Sequence, residues 1–250
     1  MSVLFFKVTL MPLAIGLVTL VSRRWGNKVG GLIASLPWVA GPILLFFILE
    51  QGKGFGVQSV RGILTGIVAW VCFTYSYAWL STKMSWPVTV SVAYLVYVGV
   101  AWLINFVNIN LAVSYGLAVS SALLALRYFP ATAMSAIAVR RLPFDIPLRM
   151  LVATLFVVAV TWLANMLGPA WSGILTPFPI MTSILAIFTH HLQGSGPTIL
   201  ILRGLLIGVL GFTTFFFLQA FFLPLFSVAL SFCLALLINV IINVVASRVW

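Results

Sequence analysis

The chain has 250 residues, of which 63% are hydrophobic and only 6% are charged. Ordinary globular domains carry about 25% charged residues, so this composition excludes a soluble domain and indicates an all-α integral membrane protein. Thirteen Lys and Arg residues outnumber two acidic residues, Glu50 and Asp145. The basic residues stand singly or in pairs at the ends of apolar segments, and no basic patch with interleaved aromatic residues is present for a nucleic acid.

Nine apolar segments are long enough to cross a bilayer core, which needs about 20 residues per helix. The first has no small-residue cleavage site after it, so we expect it to remain as a helix. With nine spans, ten basic residues fall on one side of the membrane and three on the other. Because basic loops are typically cytoplasmic, this bias predicts an outer N-terminus and a cytoplasmic C-terminus. In chain order the predicted spans are 3–22, 29–50, 57–80, 86–106, 109–126, 148–167, 171–192, 198–222 and 225–246.

The sequence matches itself when it is shifted by 142 positions. Residues 31–66 align with 173–208 without a gap, and the identities fall mainly on Gly, Pro, Gln and Arg, which chance does not favour in an apolar chain. The match predicts one repeat at 1–106, a connector at 107–147 and a second repeat at 148–250. Because the connector contributes one span, the second repeat is expected to be inverted in the membrane, as in many secondary transporters.

Proline interrupts an apolar segment at corresponding places in the two copies. The first interruption reads SLPWVAGP (35–42), and the second reads TPFPIMTS (176–183). Paired interruptions of this kind are the best sequence pointer to a transporter's binding site, since a broken helix exposes backbone polar groups. The alternative is a pair of proline kinks that serve packing alone. The binding interpretation assigns substrate contacts to Pro37, Trp38, Pro42, Pro179, Thr182 and Ser183.

Arg61 and Arg203 occupy equivalent positions in the two copies, each expected near a helix start. A helix start carries the positive end of the macrodipole, and a guanidinium offers a fork of donors that suits carboxylate or phosphate. These two residues therefore predict an anionic small molecule or a lipid phosphate as substrate. The alternative is that each side chain reaches the phosphates of lipid headgroups.

Three titratable residues near the membrane interfaces are candidates for coupling transport to protons, namely Glu50, His190 and His191. The alternative for all three is a side chain that is solvated or ion-paired at the membrane interface and has no part in proton coupling. The sequence contains no HExxH, CxxC, GxSxG or Walker motif. Two acidic residues are also too few for paired-carboxylate chemistry or a hard-metal site, so we expect no enzyme activity, cofactor or metal.

The segment SGILTPFPIMTSILAIFTHHLQGSG, followed by RGLLIGVLGF, resembles the GlpM-type family of small bacterial inner-membrane proteins. The likeness covers about fifty residues and consists of a proline-rich entry, small polar residues, histidine and glycine. The first copy departs from it, because Ile48 and Leu49 stand opposite His190 and His191. The resemblance implies a bacterial inner-membrane location and an association with exopolysaccharide production.

Three functions compete at this point. The first is a secondary transporter or lipid-type flippase with its site between the second and seventh spans. The second is a non-transporting membrane subunit of an envelope exopolysaccharide assembly, and the third is an ion channel. The two interruptions favour transport, because alternating access uses broken helices and a scaffold does not need them. The oligomeric state stays open.

Overall fold

The computed structural model describes residues 2–107, 109–131, 144, 146–152, 154–155 and 174–249. Within them the fold is helical and contains no strand. Residues 146–152 and 154–155 are helical as well. The longer helices, numbered in chain order, are α1 (Ser2–Trp25), α2 (Asn27–Ala34), α3 (Ala40–Leu80), α4 (Trp86–Asn105), α5 (Leu111–Arg127), α6 (Ile180–Gln193), α7 (Ser195–Leu225) and α8 (Val228–Val249).

Several of these helices suit a membrane. Among the described residues, four helical segments are long and apolar enough to cross a bilayer: Gln51–Leu80, Trp86–Asn105, Ser195–Leu225 and Val228–Val249. Two shorter apolar helices are Ala40–Leu49 and Leu111–Arg127. The all-helical membrane class is confirmed to this extent. The predicted span at 148–167 and the start of the next fall largely outside the described residues, so the count of nine stays a prediction.

Helix α3 folds back on itself at Gly52, and we name its arms α3a (Ala40–Leu49) and α3b (Gln51–Leu80). A Cβ atom at Gly56 would lie 3.7 Å from Leu44. In a straight helix twelve residues span about 18 Å, so the arms run side by side in opposite directions. Gly52 permits the reversal with φ 88° and ψ 164°, a conformation that side chains with a Cβ rarely adopt. Gly194, its equivalent in the second copy, has φ 85° and ψ −173°.

The helices after each reversal recur in the same order. Helix α3b is followed by α4 from Trp86, and α7 is followed by α8 from Val228, which is the equivalent position at a shift of 142. Helix α5 lies between the two sets and packs on both, with Tyr115 stacked on Phe217 at a ring distance of 4.2 Å. In the described part of the chain, the helices after each reversal therefore begin at equivalent positions, and the repeat as a whole stays a prediction.

The helices of the first copy pack closely against those of the second copy at glycine residues. Helix α2 crosses α7 so closely that a Cβ at Gly31 would lie 2.2 Å from the carbonyl oxygen of Ile201. A Cβ at Gly204 would lie 2.3 Å from the carbonyl oxygen of Lys28. Backbone touches backbone here, which only glycine allows.

A second kind of close approach occurs at two equivalent places, one at Gly66 and one at Gly208. A Cβ at Gly66 would lie 2.5 Å from the carbonyl oxygen of Ile174 and 2.7 Å from Pro177. The equivalent glycine, Gly208, lies against Leu32 and Ser35, which are the equivalents of Ile174 and Pro177. Each set of helices therefore contacts the interrupted segment of the other set through equivalent residues.

Candidate functional site

The first interruption separates α2 from α3a at residues 35–39. Pro37 has no N–H to donate to the carbonyl of Ile33, so the helical bond at this position is missing. The Ile33 oxygen instead accepts from the N–H of Leu36 at 3.2 Å and from the indole Nε1 of Trp38 at 2.8 Å. The chain bends and begins again as a helix at Ala40.

The second interruption repeats this hydrogen-bond pattern. In the first copy the N–H of Trp38 donates to the carbonyl of Leu36 at 2.7 Å, and Gly41 N–H donates to Pro37 at 3.1 Å. The equivalent bonds run from Ile180 to Phe178 at 2.7 Å and from Ser183 to Pro179 at 2.8 Å. The helices are thus broken where the proline positions predict, and with one shared geometry.

Both interruptions line a single, partly open cavity of about 60 Å³ between the two copies. Its walls come in equivalent pairs from the two copies, joined by Leu205 and Val209 of α7. The two segments that the sequence singles out are therefore in contact with one space. The pairs are Ala34 and Thr176, Ser35 and Pro177, Leu36 and Phe178, Val39 and Met181, Ala40 and Thr182, and Trp70 and Phe212.

Hydroxyl groups supply most of the side-chain polarity of this cavity. Ser35, Thr176 and Thr182 line it and are buried. Trp70 of α3b donates from Nε1 to Oγ1 of Thr182 at 2.9 Å and so links the two copies across the cavity. Among the described residues no charged side chain lines it. The wall offers uncharged donors and acceptors set in an apolar surface.

Two helices begin at this cavity. Helix α3a starts after its N-cap residue Val39, and α6 starts after Pro179. Neither start has a side-chain cap hydrogen bond in the described part of the chain. The first N–H groups of a helix carry the positive end of the macrodipole. Several of them are occupied here, since Gly41 donates to Pro37 and Ile180 to Phe178, and Pro42 has no N–H. The N–H groups of Ala40, Met181 and Thr182 have no backbone partner among the described residues, and they favour a negative group between the two helix starts.

The six residues that the sequence predicts as substrate contacts do not all lie at the cavity. Thr182 lines the cavity, and Pro179 forms the start of α6 beside it. Ser183 lies behind this wall, where its Oγ accepts from the hydroxyl of Tyr94 at 2.6 Å and donates to the carbonyl of Pro179. The remaining three, Pro37, Trp38 and Pro42, line a separate apolar groove between the first interruption and α8.

The two arginines are not among the described residues that line the cavity. Helix α7 begins at Ser195, so Arg203 lies more than two turns inside it and beyond the first turn, where the macrodipole acts. The expected position at a helix start is therefore wrong. Arg61 is exposed and lines a different, polar cavity of about 120 Å³ near the end of α4. Arg61 and Trp70 are nine residues apart, which places them on opposite faces of α3b.

The proton-coupling candidates are also remote from the cavity walls. His190 is half-buried, with its ring 6.0 Å from that of Tyr77, and its Nδ1 atom is buried without a hydrogen-bond partner among the described residues. His191 is exposed beside Trp86. The side chain of Glu50 lies outside the described part of the structure. A role in proton coupling stays a prediction for all three.

Of the residues predicted to contact substrate, only Thr182 lines the cavity. Outside the two interrupted segments, sequence reasoning missed five residues of the cavity, namely Ala34, Trp70, Leu205, Val209 and Phe212. A signal for two of them was present, because Trp70 and Phe212 are large aromatic residues at equivalent positions of the two copies.

Comparison of the chain with protein-family models, curated proteins and solved structures gives no match. The site is therefore interpreted from its own geometry.

Proposed function

We propose that this membrane protein is a secondary transporter whose substrate site is the cavity between the two interrupted helices. The observation that carries the proposal is the meeting of two helix starts without a side-chain cap, one from each copy, at one partly open cavity. Broken helices with their positive ends aimed at an anionic group are the usual binding arrangement of repeat-built transporters.

The helix contacts support an inverted arrangement of the two copies. Asn27 at the start of α2 donates to Gln193 beside the start of α7, while Ser35 after its end lies against Gly208. Helices α2 and α7 thus run in the same sense. The arm α3a continues α2 beyond the interruption and runs back against α3b. These contacts favour opposite senses for the equivalent helices α3b and α7, and the reciprocal contacts of Gly66 and Gly208 favour a pseudo-twofold axis.

The cavity also suggests the size of the group that binds. Its volume of about 60 Å³ gives room for several waters. It therefore accepts a small anion or the anionic group of a larger amphiphile, but not a whole lipid. Backbone N–H groups and the hydroxyl of Thr182 would hold this group, with no arginine required. The hydroxyl of Ser35 already donates to the carbonyl of Leu32 at 2.6 Å.

We expect small anions to raise the thermal stability of the purified protein in detergent, because a ligand that binds only the folded state stabilises it. Phosphate, sulfate, acetate and lactate, each compared with chloride at equal ionic strength, would serve as probes. Saturable stabilisation by at least one of these anions is the expected result. Melting curves that depend on ionic strength alone would count against an anion site.

The same titration separates the cavity from the two arginines. Arg61→Gln and Arg203→Gln should each keep the anion response if the helix starts bind the anion. A response lost in either variant would assign the site to that arginine instead, since replacing one partner of a desolvated charge pair costs about 2–5 kcal/mol. Anion binding without transport in vesicles would favour the alternative of a non-transporting envelope subunit.

A further inference from the structure

An apolar groove with a volume of about 290 Å³ lies beside the first interruption. Residues between Leu36 and Leu45 form one wall, Phe215 of α7 forms the floor, and Phe232, Cys233 and Leu236 of α8 form the other wall. Cys233 is exposed, and Leu236 has an exposed fraction of 42%. The groove therefore opens on the outer surface of the helices.

The equivalent place in the other copy is filled. A shift by 142 positions relates Leu36 to Phe178, Gly41 to Ser183 and Leu236 to Tyr94. The ring of Tyr94 stacks on that of Phe178 at 5.6 Å, and its hydroxyl donates to Ser183 at 2.6 Å. In the groove, leucine and glycine replace this tyrosine, phenylalanine and serine, so the space that aromatic rings fill in one copy is open in the other.

We propose that this groove binds the acyl chain of a membrane lipid. The surface around it faces the bilayer, because α8 exposes Leu237, Ile241 and Val244 to the extent of 59%, 53% and 50%. An apolar wall in that setting offers no hydrogen-bond partner for a polar ligand. An acyl chain is narrow enough to enter.

The depth of the groove also suits an acyl chain. Cys233 and Leu236 lie about 8–12 Å along α8 from its start at Val228, at 1.5 Å per residue. Lys53 marks the interface next to this helix start, where its Nζ atom donates to the carbonyl of Phe226 at 2.7 Å. A chain that descends from a headgroup at this level reaches the groove within its upper half.

The test uses the full-length protein in phosphatidylcholine vesicles that contain a phosphatidylglycerol with a diazirine in the middle of one acyl chain. After photolysis, mass spectrometry of peptides should locate adducts on residues 36–45 and 232–236 in preference to the exposed residue Leu103 of α4. Leu236→Tyr and Cys233→Phe should each lower the groove adducts about tenfold, because the larger side chain fills the space that the acyl chain would occupy. Leu103→Tyr is the matched control and should change nothing in the groove.

The filled crevice provides the converse experiment. Tyr94→Leu combined with Ser183→Gly should open it and create new adducts near residues 178–183. The proposal would be overturned by adducts spread evenly over the lipid-facing helices. It would also be overturned if both groove-filling variants kept the full adduct yield while remaining monodisperse by size-exclusion chromatography.

Discussion

Replacing Gly31 or Gly204 by alanine should destabilise the folded protein by about 3 kcal/mol or more. The new Cβ atoms would lie 2.2 Å and 2.3 Å from backbone carbonyl oxygens of the facing segment. Backbone cannot move aside as a flexible side chain can, so α2 and α7 must separate and the cavity between the two copies must change. Thermal unfolding of the purified variants in one detergent would measure the loss.

Gly99→Ala in α4 is the matched control for this prediction. A Cβ at Gly99 meets no atom within 4 Å, and alanine is the better helix former by about 1 kcal/mol. The control variant should therefore be as stable as the original protein or slightly more so. Equal stability of Gly31→Ala, Gly204→Ala and Gly99→Ala would show that α2 and α7 do not meet as described.

Thr182→Asp should abolish the anion response while preserving the fold. The new carboxylate would lie in the cavity beside the starts of α6 and α3a and would occupy the place of the bound anion. Like charges in a desolvated site cost several kcal/mol, which corresponds to a loss of affinity of at least about 100-fold. A negative charge in the first turn also favours the helix by up to about 1 kcal/mol. Because burying the carboxylate at this position offsets that gain, the variant should fold with an anion-free stability close to that of the original protein.

Thr65→Asp serves as the comparison for this variant, because Thr65 lines the other cavity beside Arg61. Its anion response should be unchanged. An unchanged response in Thr182→Asp, or a lost response in Thr65→Asp alone, would place the anion at the arginine cavity.

The interrupted segments were predictable from sequence because proline removes a backbone donor wherever it stands, whatever packs around it. Pro37 marks the first interruption and Pro179 marks the second. Because the two prolines occupy equivalent positions of the two copies, they predicted one shared geometry. The internal match also pointed to Gly31 and Gly204, although their close contact became visible only in the structure. The chemistry of proline and the internal repeat together made the interrupted segments predictable.

The direction in which side chains point was less predictable. Arg61 and Arg203 drew attention because they are identical in the two copies, yet each lies on a helix face turned away from the cavity. The spacing of nine residues puts Arg61 and Trp70 on opposite faces of one helix, but it does not say which face packs against the other copy. That choice depends on tertiary packing. The same limit concealed Trp70, whose role depends on α3b facing Thr182 of α6.

The most direct test of the central claim asks whether the cavity opens to both sides of the membrane. Ser35 and its equivalent Pro177 would each be replaced by cysteine in a chain that lacks the native thiols of Cys72 and Cys233. Membrane-impermeant thiol reagents would then be applied to oriented vesicles from either side. Alternating access predicts that each cysteine is modified from both sides, with opposite preferences for the two positions. Modification of both cysteines from one side alone, or from neither, would contradict a transport site between the interrupted helices.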